Sequence, residues 1–161
     1  NYVRILLDLP EVMEGWSIYV DNLMGEYGFL NSLKNRFLRL LTLCQNALLA
    51  YLDIKVNTGE MTHLEALNKL VEDGYMDKNE AVTHVLKLVI SPTMSLSPHI
   101  GFKNIWGLRE SMKILLGRVY SDKWFNDTFL KYAVLPLDFV KVLMVNEASS
   151  LLMKYAAAEE A

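Results

Sequence analysis

The chain of 161 residues is poor in the residue types from which many functional sites are built. It contains one cysteine and three histidines, too few for a disulfide framework or a Cys/His zinc cluster. It also has no glycine-rich phosphate loop and no serine nucleophile elbow. We expect Cys44 to be a buried thiol within a helical apolar pattern. That indicates a reducing, cytoplasmic compartment, although the sequence gives no evidence on targeting.

A strong charge of one sign and a long apolar run are both missing. The formal net charge is −3, from 16 basic and 19 acidic residues with interspersed signs. Because there is no basic stripe, we expect no binding to nucleic acid. The longest apolar run, residues 40–52, is interrupted by Thr42, Gln45 and Asn46. It is too short to cross a bilayer, so we predict no membrane span.

Apolar residues, by contrast, are abundant. They make up 52% of the chain, and the mean hydropathy is +0.17. Two explanations stay open: a leucine-rich helical core, or apolar faces that pack against a partner. The partner would be another part of a larger protein, or a second copy in a homodimer.

Helix signals follow one another along the chain, without a convincing strand or repeat. They predict an all-α fold, an irregular bundle of about seven helices in a single domain over residues 1–161. The predicted start signals are Asp8 and Pro10, Asn31 or Ser32, the Thr62 and Glu65 capping box, Asp77 with Glu80, Ser97-Pro98, Ser121 or Asp122, and Asp138. The second helix is predicted to end near Asp53.

The first helix carries one carboxylate outside its apolar stripe. At steps of three and four, the predicted buried face comprises Leu9, Met13, Trp16, Val20, Leu23 and Tyr27. Glu14 falls well away from this stripe, near Ser17 and Asp21. It is either a solvated side chain or a carboxylate turned toward a site that another segment completes.

In the fifth helix, Arg109 falls inside an apolar face. That predicted face comprises Gly101, Ile105, Leu108, Met112, Leu115, Leu116 and Val119. A guanidinium there requires a partner. It either binds a substrate carboxylate or backbone, or forms a structural ion pair, or extends to the surface.

His99 and Gly101 stand where a Ser/Pro-rich loop meets the fifth helix. Loops that end at helix N-termini often carry function, so His99 is a candidate for substrate binding; the alternative is a surface histidine. Gly101 allows close backbone approach, either by a substrate or by a packed helix.

Five segments, in order and spacing, resemble a large prokaryotic family catalogued as domain of unknown function 885. They are Glu14-Gly15-Trp16-Ser17-Ile18-Tyr19, residues 53–62, residues 91–101 (SPTMSLSPHIG), the Ile105, Leu108 and Arg109 pattern, and Leu135-Pro136-Leu137. The resemblance extends from about residue 12 to about residue 144.

This resemblance implies a helical zinc peptidase of the gluzincin type. In such relatives an HExxPGH helix supplies two His ligands and a general-base Glu, and the position of Glu14 supplies the third ligand. The open zinc position then holds a water that the metal acidifies. Arg109, His99 and Gly101 would line the substrate cleft.

The HExxPGH helix is absent from this sequence. We therefore expect a C-terminal portion of a larger protein, partnered by the missing N-terminal half and inactive, without zinc, when alone. Relatives usually have His at Asn57 and Tyr at Met94 and Pro98; these departures weaken the case for peptidase activity. The alternatives are a non-catalytic interaction or scaffold module, or a binder of small carboxylates through Arg109.

Overall fold

The computed structural model describes residues 9–29 and 31–159. Within these residues the chain forms seven α-helices and one 3-10 turn, and no strand. The helices are α1 (Pro10–Glu26), α2 (Leu33–Asn57), α3 (His63–Glu72), α4 (Lys78–Ile90), α5 (Ser97–Leu116), α6 (Asp122–Tyr132) and α7 (Leu137–Glu159), with the 3-10 turn Gly117–Val119 after α5. The predicted all-α bundle is confirmed.

Most helix starts follow the capping signals in the sequence. The side chains of Ser32, Thr62 and Ser121 each accept a hydrogen bond from a backbone N–H in the first helical turn. At α3, Glu65 completes the predicted capping box with Thr62. Asp77 caps α4 in the same way, by accepting from the backbone N–H of Asn79. The predicted cap Asp138 is wrong, because α7 already begins at Leu137. The predicted cap Asp8 lies outside the described residues.

The first hydrophobic core lies between α1, α5, α6 and α7. Tyr19, Ile105, Phe125, Phe129 and Met144 are fully buried within it. The ring of Trp16 stacks on Phe129, with centroids 4.9 Å apart and planes 6° from parallel. Such large apolar surfaces dominate the energetics of a core of this size.

A second core lies between the C-terminal half of α2 and helices α3 and α4. It contains Leu52, Ala66, Leu70, Ala81 and Leu88, all fully buried. The two cores are joined where α2 packs against the beginning of α5. That junction positions the candidate site.

The predicted buried face of α1 is wrong by about one residue. The buried residues are Val12, Gly15, Tyr19 and Leu23, whereas Met13 is 67% exposed. The cause is Gly15, which carries no apolar side chain and yet lies at the centre of the contact with α5. The periodicity of large side chains therefore misplaced the axis of the face.

The N-terminal half of α2 is largely exposed, although Cys44 lies there within a helical apolar pattern. Leu33, Phe37 and Leu40 are exposed, and so is Cys44, so the expectation of a buried thiol is not met. The buried residues of α2 all belong to its C-terminal half, from Leu49 to Val56. The α2 sequence has the periodicity of a packed helix, but the described helices cover only its second half.

By length and composition, α2 is the one described helix that passes as a candidate membrane span. It has 25 residues, and its most apolar 18-residue stretch has a mean hydropathy of 1.3, with 22% of that stretch buried. One helix of this kind is weak evidence, since the core helix of a soluble protein passes the same test. The absence of a membrane span stays a prediction.

Candidate functional site

Helices α1 and α5 touch through the backbones of two glycines. A Cβ on Gly15 would lie 2.4 Å from the carbonyl carbon of Gly101, and a Cβ on Gly101 would lie 1.8 Å from the carbonyl oxygen of Glu11. Only glycine fits at both positions. Further along, Arg109 of α5 contacts Glu26 at the end of α1, so the two helices run in the same direction. The predicted close approach at Gly101 is therefore made by a packed helix.

Glu14 directly precedes this crossing. Its side chain is exposed and makes no hydrogen bond or ion pair with any other residue that the structure describes. An unengaged carboxylate on a rigid, well-packed helix is available for an external ligand. The same observation fits the solvated side chain of the alternative interpretation.

His99 precedes Gly101 by two residues, which is about 3 Å along the axis of α5. The side chain is half-buried, and its Nδ1 atom is buried without a hydrogen-bond partner among the described residues. Buried polar atoms normally have hydrogen-bond partners. The buried Nδ1 of His99 is therefore an exception, a nitrogen that still lacks a donor or an acceptor in the described part of the chain. Along the helix axes both Glu14 and His99 lie within one turn of the crossing. Two residues of α5 correspond to about 200° of rotation, however, so His99 lies on the side of α5 away from Gly101 and α1.

The loop before α5 is held by a buried carboxylate. Asp53 is 2% exposed, and it accepts hydrogen bonds from the backbone N–H groups of Thr93 (2.9 Å), Ser95 (3.0 Å) and Leu96 (3.2 Å). Thr93 has a positive φ of 73°, a conformation that a β-branched residue adopts only when its surroundings impose it. Asp53 therefore fixes the loop, and with it the first turn of α5 that carries His99.

The sequence interpretation missed Asp53 and placed only a helix end there. The available signal was a carboxylate between Leu52 and Ile54, inside an apolar stretch of the longest helix. A buried acid without a neighbouring base requires several N–H donors. The sequence alone does not say which donors, because they lie about 40 positions further along the chain.

Asn57 supports the same carboxylate. Its Nδ2 donates to the Asp53 side chain at 2.9 Å and to the carbonyl oxygen of Leu88 at 3.2 Å. The other two departures from the family pattern also lie along this region: Met94 is 49% exposed in the loop, and Pro98 is half-buried in the first turn of α5. Neither side chain offers a proton or a hydrogen bond to a substrate.

Arg109 is engaged by carboxylates. Its side chain is 3% exposed, and it donates from Nε and Nη2 to Asp122 at 2.9 and 3.1 Å, and from Nη2 to Glu26 at 2.8 Å. The guanidinium also lies over the Trp106 ring, 5.0 Å from its centroid. This geometry favours the structural ion pair; substrate binding by Arg109 stays a prediction.

The neighbours of Asp122 keep its carboxylate ionised beside the Arg109 guanidinium. Burial raises the pKa of Asp122, but hydrogen bonds from Arg109, Tyr120 and Tyr27 outweigh burial and hold that pKa well below its ordinary value. Burial and the hydrogen bond to Asp122 raise the pKa of Tyr120.

Arg109 also lies eight residues beyond Gly101, about 12 Å along α5. The structure therefore separates Arg109 from Glu14 and His99.

The described residues do not provide a complete set of ligands for a metal ion. No three His, Cys, Asp or Glu side chains come together there, whereas a zinc site uses three or four protein ligands. Glu14 has the right chemistry and exposure for one ligand. The described part of the chain does not fit a complete zinc site by itself.

The comparison with known families agrees with the motifs. Residues 2–144 match the model of a family described as "Bacterial protein of unknown function (DUF885)". No curated protein matches the chain, and no solved structure matches it. Since the match covers most of the sequence, the chain belongs to the DUF885 family of bacterial proteins.

Proposed function

We propose that this chain supplies Glu14 as one ligand of a zinc centre in a metal-dependent peptidase or hydrolase. The remaining ligands would come from outside the described residues, since no group of three candidate ligands forms within them. Family membership supports the proposal, because the position of Glu14 corresponds to the predicted third ligand of its relatives. The metal, when bound, would polarise a carbonyl and acidify a water.

The observation that carries the proposal is the contact between Gly15 and Gly101. It fixes Glu14 on a rigid helix, directly beside the close contact with α5. Ligands need such positioning, because a metal site tolerates little error in ligand geometry.

His99, in the first turn of α5, would contribute to the substrate cleft, whereas Gly101 is covered by α1 and does not line it. The His99 imidazole would donate a hydrogen bond to a substrate oxygen as charge develops there. Asp53 would act indirectly, by holding the loop from which α5 begins. With Asn57, Met94 and Pro98 in place of His and Tyr, we expect slower catalysis than in relatives that keep those groups.

The test is the zinc content of the whole gene product that contains this sequence, measured by plasma mass spectrometry after gel filtration. We expect about one zinc per wild-type chain, as for a mononuclear site, and a large loss in Glu14→Gln. The matched control is Asp21→Asn, an exposed carboxylate on the same helix, which should keep its zinc. Equal zinc content in all three proteins would remove Glu14 from the site.

A non-catalytic helical module is the second candidate function. The exposed apolar residues in the first half of α2 favour it, because such a surface is typical of interaction sites. A wild-type gene product that binds no zinc, but forms a specific complex through α2, would support this function and refute the first.

A further inference from the structure

A groove lies between α1 and residues 35–46 of α2. It consists of two adjoining cavities of about 240 Å³ each, which share Asp21, Arg39 and Thr42. The cavity nearer the start of α1 is completed by Ser17, Ile18, Asn22, Leu43 and Asn46. The cavity nearer the end of α1 is completed by Met24, Gly25, Phe29, Asn35 and Leu38. The two cavities together are called the α1–α2 groove below.

Arg39 is the basic residue of this groove, and its charge is not matched by any described residue. The guanidinium lies against Gly25, where an added Cβ would be 1.4 Å from Nη1. The Nε atom is buried and has no hydrogen-bond partner among the described residues. Asp21 lines the same groove, but no ion pair joins it to Arg39. Because buried guanidinium nitrogens normally have acceptors, Arg39 retains hydrogen-bonding capacity for an anion.

The groove follows the face of α1 that carries Glu14. Ser17, Ile18 and Gly25 come three, four and eleven residues after Glu14, steps that place side chains on one face of a helix. Gly25, beside the Arg39 guanidinium, is therefore about 16 Å from Glu14 along the helix axis. An extended peptide covers that length with about five residues. A short peptide in the groove can reach from Glu14 to Arg39.

Apolar side chains surround the end of the groove that is further from Glu14. Met24, Phe29 and Leu38 all line the cavity beside Arg39, and all three remain exposed. They would cover an apolar side chain of a ligand whose carboxylate is bound by the guanidinium. The C-terminal residue of a peptide carries both groups on one α-carbon. This end of the groove therefore has the chemistry to bind a free C-terminus with an apolar side chain.

We propose that the α1–α2 groove binds peptide substrates by their C-terminus. The free carboxylate accepts hydrogen bonds from Arg39, the apolar C-terminal side chain packs against Met24, Phe29 and Leu38, and the peptide runs back along α1 toward Glu14. A guanidinium selects a carboxylate over a neutral amide by charge-assisted hydrogen bonds. As a substrate site the groove rests on the proposed function, but the contact with Arg39 can be measured without zinc.

The test uses the whole gene product in the presence of EDTA and two fluorescein-labelled peptides with the sequence Gly-Ala-Ala-Ala-Leu. One peptide ends in a free carboxylate and the other in a carboxamide. By anisotropy we expect the acid to bind at least about tenfold more tightly, as for a hydrogen bond between charged groups. This preference should weaken at high salt.

Four variants make the test specific. Arg39→Gln should bind the two peptides equally, whereas Arg36→Gln, which changes an exposed arginine of α2 outside the groove, should keep the preference. Gly25→Ala keeps the positive charge but displaces the guanidinium, so it should reduce the preference. Phe29→Ser should weaken both peptides alike, because it removes apolar surface and leaves Arg39 in place. An unchanged melting curve shows that each variant is folded.

Three results would overturn the proposal. The first is that wild type binds neither peptide, or binds both equally, as expected if another segment of the gene product fills the groove. The second is a preference for the acid that persists in Arg39→Gln, which would place the anion site elsewhere. The third is an unchanged affinity in Phe29→Ser, which would remove the apolar C-terminal side chain from the proposed ligand.

The zinc content of Glu14→Gln tests the proposed function separately. Loss of zinc in that variant, together with equal binding of the two peptides by wild type, would refute the groove and leave the metal centre. A preference for the acid that depends on Arg39, in a wild-type protein that binds no zinc, would refute the metal centre. The groove would then be a binding site for peptide C-termini without a catalytic role.

Discussion

The α-carbon of Gly15 lies 3.0 Å from the position that a Cβ on Gly101 would occupy, so α1 and α5 meet backbone to backbone. The first core is built around this contact, and it sets the position of Glu14 relative to His99. Any side chain at either glycine requires the helices to separate. The contact is thus the geometric basis of the proposed site.

Gly101→Ala should therefore destabilise the protein. The added methyl group would lie 1.8 Å from the carbonyl oxygen of Glu11, and overpacking of this kind costs about 1–3 kcal/mol or more. Gly107→Ala on the same helix is the matched control, because nothing lies within 4 Å of its Cβ position. We expect that variant to gain up to about 1 kcal/mol from helix propensity. Urea unfolding measures the free energy of unfolding of both variants. Equal changes in the two would contradict the close backbone contact between α1 and α5.

Arg109→Met should remove the ion pairs with Asp122 and Glu26 and leave the partly buried Asp122 uncompensated. The expected loss is about 3 kcal/mol at neutral pH. Lys123→Met, which breaks an exposed pair with Asp127, should change stability little. Chemical unfolding of the three proteins provides the comparison.

The pH dependence of this loss has a defined sign. The folded pKa of Asp122 is lowered, so its contribution is fully present above its unfolded value, about 4, and is lost as the pH falls toward the folded value. The difference between wild type and Arg109→Met should therefore be largest above about pH 4 and shrink on acidification. A difference that grows in acid would refute the assignment.

Asp53→Ala should release the loop before α5. It would leave the N–H groups of Thr93, Ser95 and Leu96 without their acceptor, at about 1–3 kcal/mol for each group that stays buried. Hydrogen exchange at these amides should accelerate well beyond any change in the rest of α5.

The control for this effect is Asp77→Ala, which removes only the cap of α4. It should cost about 1 kcal/mol and leave exchange at residues 93–96 unchanged. Slow exchange at those amides in Asp53→Ala would show that the carboxylate does not hold the loop.

Cys44 should react readily in the folded state, because its side chain lies exposed on α2. We expect Ellman's reagent to titrate one thiol per chain at a rate within about tenfold of that in denaturant. A thiol that reacts only after unfolding would restore the buried position expected from the sequence.

The sequence predicts some of the structural features behind these predictions and misses others. The buried face of α5, with Arg109 inside it, follows from the spacing of its apolar residues and is confirmed from Gly101 to Met112 and at Leu116. It is wrong at Leu115, which is 41% exposed, and at Val119, which lies in the 3-10 turn after α5. The caps at Ser32, Thr62 and Ser121 are also confirmed, because capping is a local interaction. Each depends on neighbours within a few positions in the chain.

The site depends on contacts between distant segments, which periodicity does not encode. The contact of Gly15 with Gly101 joins two residues without side chains, and Asp53 binds a loop about 40 positions away. The exposure of Phe37 shows the same limit. An apolar stripe predicts that a surface is covered, but it does not identify what covers it.

The most direct test of the central claim is the zinc dissociation constant of the whole gene product, measured by competition with a chelator. Replacement of a zinc ligand weakens binding more than the roughly 10–100-fold expected for a supporting residue. Glu14→Gln should therefore lose at least about 100-fold in affinity, while Asp21→Asn stays at the wild-type value. An unchanged constant in Glu14→Gln would contradict the claim that this carboxylate binds the metal.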